Sequence, residues 1–340
     1  MEKHVLLFSG GIDSFVAYHY IRKELQKEVL PVYFDLGAPY NPREIRVVKS
    51  LLPETVIDTS LSVGDTQRGQ NAFIPYRNLL LACMARKYGD NIWIAGLKDD
   101  MVEDKNPDAF NAMNECMNYI SKPEDHARLR SPFWGATKEQ VVRWWCNNFP
   151  NDRNRILETI SCYDHYEPTN YCGRCPSCLR KFFALRNNGF NIEFYNQSLF
   201  DEYIARAERR YYPSERCDEI LMQRNYSCKK VYCFDIDGTL TMEAEGHDYK
   251  SRVPKQNMIG VVNQLKQEGH KIVLFTSRYH EDQFVTEEWL RINNVKHDCV
   301  IYGKPYYDFH VDDKNVLFSS DGETTCQIQP IPQEEMEDKE

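Results

Sequence analysis

The hexapeptide Ser-Gly-Gly-Ile-Asp-Ser at residues 9–14 decides the fold of the first two thirds of this 340-residue chain. It follows the apolar run Val5–Phe8 and precedes a helical pattern that begins near Phe15. A strand, a glycine turn and a helix in this order bring free backbone N–H groups and the positive end of a helix dipole to the turn. We therefore predict a phosphate site there, with Ser9 as a hydroxyl donor and Ser14 as the helix cap. The alternative is an ordinary strand-to-helix turn.

The surrounding sequence excludes two common nucleotide sites and predicts the type of sheet. No Walker lysine follows the hexapeptide and its spacing is not G-x-G-x-x-G, so neither a P-loop NTPase nor a Rossmann dinucleotide site fits. Apolar runs separated by helices indicate an α/β fold with a parallel sheet covered on both faces. Ligands of such sheets bind beyond the carboxyl ends of the strands, which gathers residues 9–14, 34–35 and 95–100 at one rim. We predict strands at Val5–Phe8, Leu30–Phe34, Thr55–Ile57 and Ile92–Ala95, and helices near 14–27, 42–52, 77–88 and 107–120.

Length, charge and cysteine usage bound the class of protein. The chain is long enough for two domains, which we place at residues 1–228 and 229–330, with an acidic, disordered tail at 331–340. Helical patches at 199–210 and 217–223 finish the first domain. The net charge of −9 argues against a general nucleic-acid coat or an anionic-membrane binder. No segment of the sequence resembles a signal peptide or a membrane span. Twelve cysteines in such a chain indicate a cytoplasmic protein, because in a reducing compartment clustered thiolates bind metal more often than they form disulfides. A homo-oligomer stays among the alternatives.

A second motif has the spacing of a metal site. Cys172, Cys175 and Cys178 are separated by two residues each, and Cys162 lies upstream across a short loop. Four thiolates suit a tetrahedral zinc ion, and the ion would be structural because no coordination position stays open. An iron–sulfur cluster is the rival occupant.

The aperiodic loop 60–74 is predicted to be a mobile flap. It leads to Arg77 and Asn78, just before an apolar helix. An arginine at the start of a helix can contact phosphate. Arg77 and Asn78 also fit the more ordinary roles of surface and capping residues.

Taken together, these motifs resemble the 7-cyano-7-deazaguanine synthases of the PP-loop ATP pyrophosphatase superfamily, whose fold is adenine nucleotide alpha hydrolase-like. The resemblance covers about residues 1–190 and rests on residues 9–14, Phe34-Asp35, Ile74–Asn78, Pro107-Asp108, Lys138 and the cysteine segment, in the family's order. It implies conversion of 7-carboxy-7-deazaguanine and ammonia to the nitrile with ATP, on the queuosine pathway. It also implies ATP ligands at Ser9, Gly10, Gly11, Asp13, Ser14, Arg77 and Lys138, and zinc ligands at Cys162, Cys172, Cys175 and Cys178.

Two segments depart from the family's pattern. The family usually has Tyr-Gly-Gln and a histidine after its second strand, where this chain has Leu36–Tyr40. It usually has Pro-Asp-Cys-Arg where this chain has Pro107–Phe110. The nucleotide loop is intact while the acceptor side has changed, so the resemblance implies adenylation more strongly than it implies the deazaguanine acid.

The C-terminal third carries a different, acidic motif. The run Val231–Phe234 ends in Asp235 and Asp237, two carboxylates that a strand end can place within reach of one Mg²⁺. Downstream, the run 272–275 ends in Thr276, Lys304 follows, and the run 309–311 ends in Asp312 and Asp313. The alternative is a structural acidic rim.

This order of motifs, across about residues 230–318, resembles the haloacid dehalogenase-type phosphatases and implies a smaller Rossmann-like domain. The resemblance implies Asp235 as nucleophile, Asp237 as general acid and base, Thr276 and Lys304 as phosphate ligands, and Asp235, Asp237 and Asp312 around magnesium. Core helices near 254–268 and 281–294 fill the gaps between the motifs and leave no room for a cap domain. Such an open site favours a large substrate such as a nucleic-acid end, unless a neighbouring domain or subunit supplies the cap. We expect a phosphorylated nucleotide or nucleic-acid end.

The sequence as a whole predicts a bifunctional enzyme. One activity is ATP-dependent adenylation of a carboxylate, followed by attack of ammonia or another amine to give the nitrile or amide. The other is a Mg²⁺-dependent phosphatase. One rival is a different PP-loop reaction, either tRNA thiolation or ligation of a deazaguanine acid to a macromolecule. The second rival is a degenerate scaffold or interaction protein without turnover.

Overall fold

The computed structural model describes residues 2–67, 74–162, 170–243, 246 and 248–305. The chain divides into two compact units between Cys228 and Lys229, here the N-terminal unit and the C-terminal unit. The described residues do not include part of the predicted flap, the run 309–311 with Asp312 and Asp313, or the acidic tail. No helix in the described part of the chain is long and apolar enough to span a lipid bilayer.

The N-terminal unit alternates strands and helices. Its elements are β1 (His4–Leu7), α1 (Ile12–Lys23), β2 (Val29–Phe34), α2 (Asn41–Leu51), β3 (Val56–Asp58), α3 (Arg77–Ala85), β4 (Asn91–Trp93), α4 (Pro107–Ile120), β5 (Arg128–Arg130), α5 (Lys138–Asn148), α6 (Pro176–Arg186), α7 (Gln197–Glu208) and α8 (Ser214–Leu221). All strand pairs of its sheet are parallel, in the order β3-β2-β1-β4-β5. The predicted α/β fold with a parallel sheet is confirmed.

Both faces of this sheet are covered, because successive residues of a strand point to opposite sides. Leu6 packs with the apolar residues of α1, α2 and α5. Its neighbour Val5 packs with those of α3 and α4. The chain turns from β1 to β2 on one side and reaches β4 on the other, which makes the carboxyl end of β1 the crevice where ligands of such sheets bind.

Local signals start the helices that border this crevice. Helix α5 begins at Lys138 because Thr137 and Gln140 form a reciprocal capping box. Helix α6 begins at Pro176, with the Cys175 sulfur accepting from the Cys178 N–H. At α1 the prediction was wrong: Gly11, not Ser14, is the capping residue, and Ser14 is the third residue of the helix.

The C-terminal unit is a smaller parallel sheet with helices. Its elements are β6 (Val231–Phe234), α9 (Gln256–Gln267), β7 (Lys271–Phe275), α10 (Gln283–Ile292) and β8 (Cys299–Ile301), and the strand order is β6-β7-β8. Apolar residues of β6, β7, α9 and α10 form its core. The strand β8 was not predicted, and it brings the chain back to the sheet just before Lys304.

Candidate functional site

A pocket of about 330 Å³ lies at the carboxyl ends of β1, β2 and β4. Ser9 follows β1, Phe34 ends β2 and Ala95 follows β4, and all three line it. The three segments that the sequence placed at one rim therefore contribute to one cavity. The predicted ATP ligands that line it are Ser9, Gly11, Asp13, Ser14, Arg77 and Lys138.

The glycine loop brings two serine hydroxyls to the start of α1. Gly10 has φ of 73°, and a Cβ there would lie 3.1 Å from a methyl carbon of Val48, so glycine is needed for both conformation and space. Gly10 itself does not line the pocket. The Ser9 and Ser14 hydroxyls lie 3.2 Å apart, and the Ser14 hydroxyl donates to the Gly11 carbonyl at 3.1 Å. The result is two hydroxyls beside the N-terminus of α1.

Two cations face this loop from other elements. The Lys138 ammonium lies 2.6 Å from an Asp13 carboxylate oxygen. Burial lowers the pKa of Lys138, and the Asp13 carboxylate opposes this effect. Arg180, on α6, also lines the pocket and pairs with Asp99 at 3.1 Å and with Asp100 at 2.7 Å. Arg180 was not predicted, because its partners Asp99 and Asp100 lie on a distant segment of the chain.

The charges around Arg180 are compensated. Burial alone would raise the pKa of Asp100, but Lys105 and Arg180 together hold it well below its usual range. Lys105 pairs with the Asp100 carboxylate at 3.0 Å and lines the pocket as well. Anionic side chains therefore hold the lysine and arginine heads in place at the wall of the pocket.

Arg77 and Asn78 are pocket residues. Helix α3 starts at Arg77, Asn78 is buried, and both line the cavity. The capping residue is Tyr76, whose side chain makes no capping hydrogen bond and whose φ is 58°. Arg77 and Asn78 therefore do not have the alternative roles of surface and capping residues.

The far side of the pocket combines apolar walls with one carboxyl group. Phe34, Leu36 and Ile94 line this side together with Glu44. The Tyr33 hydroxyl donates to Glu44 at 2.7 Å. Part of Glu44 stays open to the pocket, yet the surrounding protein excludes most of its water, and this burial raises its pKa to about 7. Glu44 had not been predicted, because no local motif marks it.

The four predicted metal ligands converge. The sulfurs of Cys162, Cys172, Cys175 and Cys178 all lie within 4.8 Å of one another, and three of the four residues are buried. The Cys172 and Cys178 sulfurs are 3.8 Å apart. Zn–S bonds of about 2.3 Å in a tetrahedron separate neighbouring sulfurs by about 3.8 Å.

The chemistry of the cysteine cluster also calls for a cation. Contact with Cys162 raises the pKa of Cys175 and Cys178 above the ordinary thiol range. A metal ion compensates the charge that four thiolates would otherwise build up. The four sulfurs could therefore hold a zinc ion or an iron–sulfur cluster.

Comparison with known proteins identifies the relatives of this site. Residues 45–192 match the family model of the queuosine biosynthesis protein QueC. The 7-cyano-7-deazaguanine synthase of Aquifex aeolicus is 25% identical over 224 residues, covering 55% of this chain and 99% of its own. The enzyme of the same name from Methanocaldococcus jannaschii is 24% identical over 217 residues, covering 53% of this chain and 92% of its own.

The region matched by the QueC model holds much of the site. It contains Arg77, Lys138, Arg180 and the four cysteines, whereas the glycine loop precedes it. Among solved structures, an NH3-dependent NAD synthetase from Campylobacter jejuni is 14% identical and covers 66% of this chain and 82% of its own. Its TM-score of 0.27 is too low to support an argument about fold.

The C-terminal unit brings a second set of predicted residues together. The Lys304 ammonium donates to the Asp235 carboxylate. Thr276 is fully buried at the end of β7, and its carbonyl accepts from the Lys304 N–H at 2.9 Å. Asp237 accepts from the Arg278 guanidinium through both oxygens, at 2.8 and 2.7 Å. Four predicted residues thus meet at the ends of β6 and β7, and Arg278 adds a contact that the sequence reasoning did not anticipate.

Proposed function

We propose that the N-terminal unit is an AMP-forming ligase of the 7-cyano-7-deazaguanine synthase type. The observation that carries the proposal is the glycine loop at the start of α1, facing Lys138, Arg180 and Arg77 across one pocket. A triphosphate needs this combination of helix N-terminus, hydroxyls and cations. The matched relatives are named for this reaction and span 55% of the chain.

In the proposed reaction a carboxylate oxygen of the substrate attacks the α-phosphorus of ATP. The bond from that phosphorus to the bridging oxygen breaks, and pyrophosphate leaves with the electron pair. Ser9, Ser14 and the N-terminus of α1 hold the departing phosphates, while Lys138 and Arg180 compensate their growing charge. Ammonia or another amine then attacks the acyl carbon, AMP leaves, and the product is the amide or, after a second activation, the nitrile.

The substrate acid binds against the apolar side of the pocket in this proposal. A flat heterocycle such as 7-carboxy-7-deazaguanine fits walls made of Phe34, Leu36 and Ile94. Glu44 offers an acceptor for ring N–H groups. The four cysteines hold zinc, which supplies structural stabilisation and takes no part in bond making.

The test is product analysis with ATP, ammonia and 7-carboxy-7-deazaguanine. We expect AMP, pyrophosphate and a deazaguanine amide or nitrile by mass spectrometry. Asp13→Asn should lower turnover at least 100-fold, because it removes the carboxylate that holds Lys138. Asp65→Asn, in a short 3-10 helix whose aspartate does not line the pocket, is the matched control. ADP as the main product would refute the assignment, and thiolation in a parallel assay that supplies tRNA and a sulfur donor would favour the rival PP-loop reaction.

A second proposal concerns the C-terminal unit: a Mg²⁺-dependent phosphatase acting on a nucleotide or nucleic-acid phosphate. The convergence of Asp235, Thr276 and Lys304 supports it. An Asp235 oxygen would attack phosphorus and form an aspartyl-phosphate as the bond from phosphorus to the alcohol oxygen breaks, and Asp237 would protonate the departing alcohol. Water, deprotonated by Asp237, would then attack the aspartyl-phosphate, which releases phosphate and restores the Asp235 carboxylate. Asp235, Asp237 and Asp312 would hold the magnesium ion, Asp312 being outside the described residues. Lys304 and Thr276 would bind the phosphoryl oxygens.

The phosphatase is tested with 3′- and 5′-phosphorylated oligonucleotides, mononucleotides and sugar phosphates. Asp235→Asn serves as the blank. We expect oligonucleotides or nucleotides to be preferred, and faster turnover of sugar phosphates would contradict the substrate class. If neither unit turns over any substrate, the scaffold alternative gains support.

A further inference from the structure

The segment that carries the first cysteine packs on the glycine loop. The Ile160 N–H donates to the Gly10 carbonyl at 2.9 Å. A Cβ at Gly11 would lie 3.3 Å from the Ile160 carbonyl oxygen, so this segment runs close to the loop. The next residue, Ser161, lines the pocket, and Cys162 follows it. Residues 159–162, here the loop clamp, thus join the phosphate loop to the cysteine cluster.

The segment that carries the other cysteines supplies a second part of the pocket wall. Ser177 lies between two cysteines and lines the cavity. Arg180 lies two residues after Cys178 and also lines it. Both belong to the first turns of α6, so their positions depend on where the cysteine turns place the start of that helix.

The metal site connects these two segments. Cys162 comes from the loop clamp, and Cys172, Cys175 and Cys178 come from the start of α6 and the turn before it. Among the described residues, the buried Lys181 also links them, because its ammonium donates to the Thr159 hydroxyl at 3.0 Å and to the Thr159 carbonyl. A metal ion bound by all four sulfurs would add four bonds across the same junction.

We propose that metal binding at the four cysteines and phosphate binding at the glycine loop are thermodynamically coupled. Loss of the ion lets the loop clamp and the start of α6 separate. Gly10 then loses its support from Ile160 and Ser177 moves out of the wall, whereas Asp99 and Asp100 still hold the Arg180 guanidinium. Coupling is reciprocal, so a bound triphosphate or pyrophosphate must tighten metal binding by the same factor. The inference rests on the proposed ATP site. It implies that the metal ion at the four cysteines raises the affinity of that site for the nucleotide.

The first experiment measures zinc release from the full-length, zinc-loaded chain. A colorimetric chelator takes up the ion in the absence and presence of saturating pyrophosphate or α,β-methylene-ATP. We expect release to slow by about tenfold, within the usual range for coupled sites. Lys181→Met removes the hydrogen bonds to Thr159 and should change the factor by which the nucleotide slows zinc release. Cys217→Ser should leave this factor unchanged, because Cys217 is a buried cysteine outside the cluster.

The second experiment measures the reverse effect by calorimetry. Zinc-depleted chain that keeps its circular dichroism spectrum should bind pyrophosphate about ten times more weakly than zinc-loaded chain. Equal affinities, or zinc release that ignores a bound nucleotide, would overturn the coupling and leave the proposed enzyme intact. If the zinc-loaded chain binds neither pyrophosphate nor the ATP analogue, the proposed function itself fails. If depletion unfolds the chain, the release measurement alone decides.

Discussion

Replacing Glu44 by glutamine should stabilise the N-terminal unit at alkaline pH. Burial raises the pKa of this carboxyl from 4.5 to about 7, because the surrounding protein disfavours its charged form. The folded state therefore binds more protons than the unfolded chain between these two pH values. The contribution of Glu44 to the free energy of unfolding is therefore fully present at low pH, where the carboxyl is protonated. It is lost as pH rises through about 7, the pKa of the carboxyl in the folded state.

The size of the effect follows from the same pKa difference. At 1.36 kcal/mol per pKa unit, the interval from 4.5 to about 7 corresponds to about 3 kcal/mol above pH 8. Glutamine has nearly the same shape, cannot ionise, and can still accept from the Tyr33 hydroxyl. Glu44→Gln should therefore gain up to about 3 kcal/mol over the parent chain at pH 8.5 and almost nothing at pH 4.5.

The assay is urea unfolding at pH 4.5, 6.5 and 8.5, followed by tryptophan fluorescence. Four of the five tryptophans, at 93, 134, 144 and 145, belong to the N-terminal unit, so the signal reports on it. Glu28→Gln is the control, because the Glu28 side chain is 88% exposed. A Glu44→Gln gain that is the same at all three pH values would refute the buried, protonated carboxyl.

Three further substitutions test other parts of the structure. Burial lowers the pKa of His19 to about 4, so stability should fall as pH drops from 6.5 towards 4, and His19→Leu should flatten this dependence in urea unfolding. A Cβ at Gly64 would lie 2.6 Å from a backbone carbon of the turn after β2, so Gly64→Ala should cost about 1–3 kcal/mol of unfolding free energy, whereas Gly135→Ala, with nothing within 4 Å, is neutral. Arg278→Met removes the two hydrogen bonds that the Arg278 guanidinium donates to the Asp237 carboxylate. It should therefore abolish phosphomonoester hydrolysis and lower the thermal midpoint of the C-terminal unit, and unchanged turnover would contradict a role for this pair.

Much of the N-terminal fold was predictable because its strands are apolar on both faces. Buried parallel strands give continuous apolar runs, and β1, β2 and β4 lie within one or two residues of the predicted bounds. The strand β5 was missed because two of its three residues are arginines. The helices α5 and α6 were not assigned, although a capping box and an N-terminal proline mark their starts.

The candidate site was predictable only where a short motif carries it. The glycine loop and the cysteines have fixed spacings, so their roles could be inferred from residues close in sequence. Glu44 and Arg180 act through burial and through partners on other elements, as Arg180 does with Asp99 and Asp100. Such features depend on the assembled sheet and have no signature in a single sequence. The Ser14 cap was wrong because the helix begins at Ile12, which places Ser14 inside its first turn.

Because Gly10 contacts Ile160, the glycine loop lacks this contact until residue 160 has been synthesised. The glycine loop leaves the ribosome among the first residues, but the residue that supports it follows far downstream, and Cys178 later still. At 5–20 residues per second, the loop waits roughly 8–30 s for this partner. During that interval the pocket wall is incomplete, so a nucleotide does not bind and does not protect the growing chain from proteolysis. A chain that stops before Ile160 should therefore be degraded equally fast with and without ATP, while the complete N-terminal unit should resist proteolysis when the nucleotide is present.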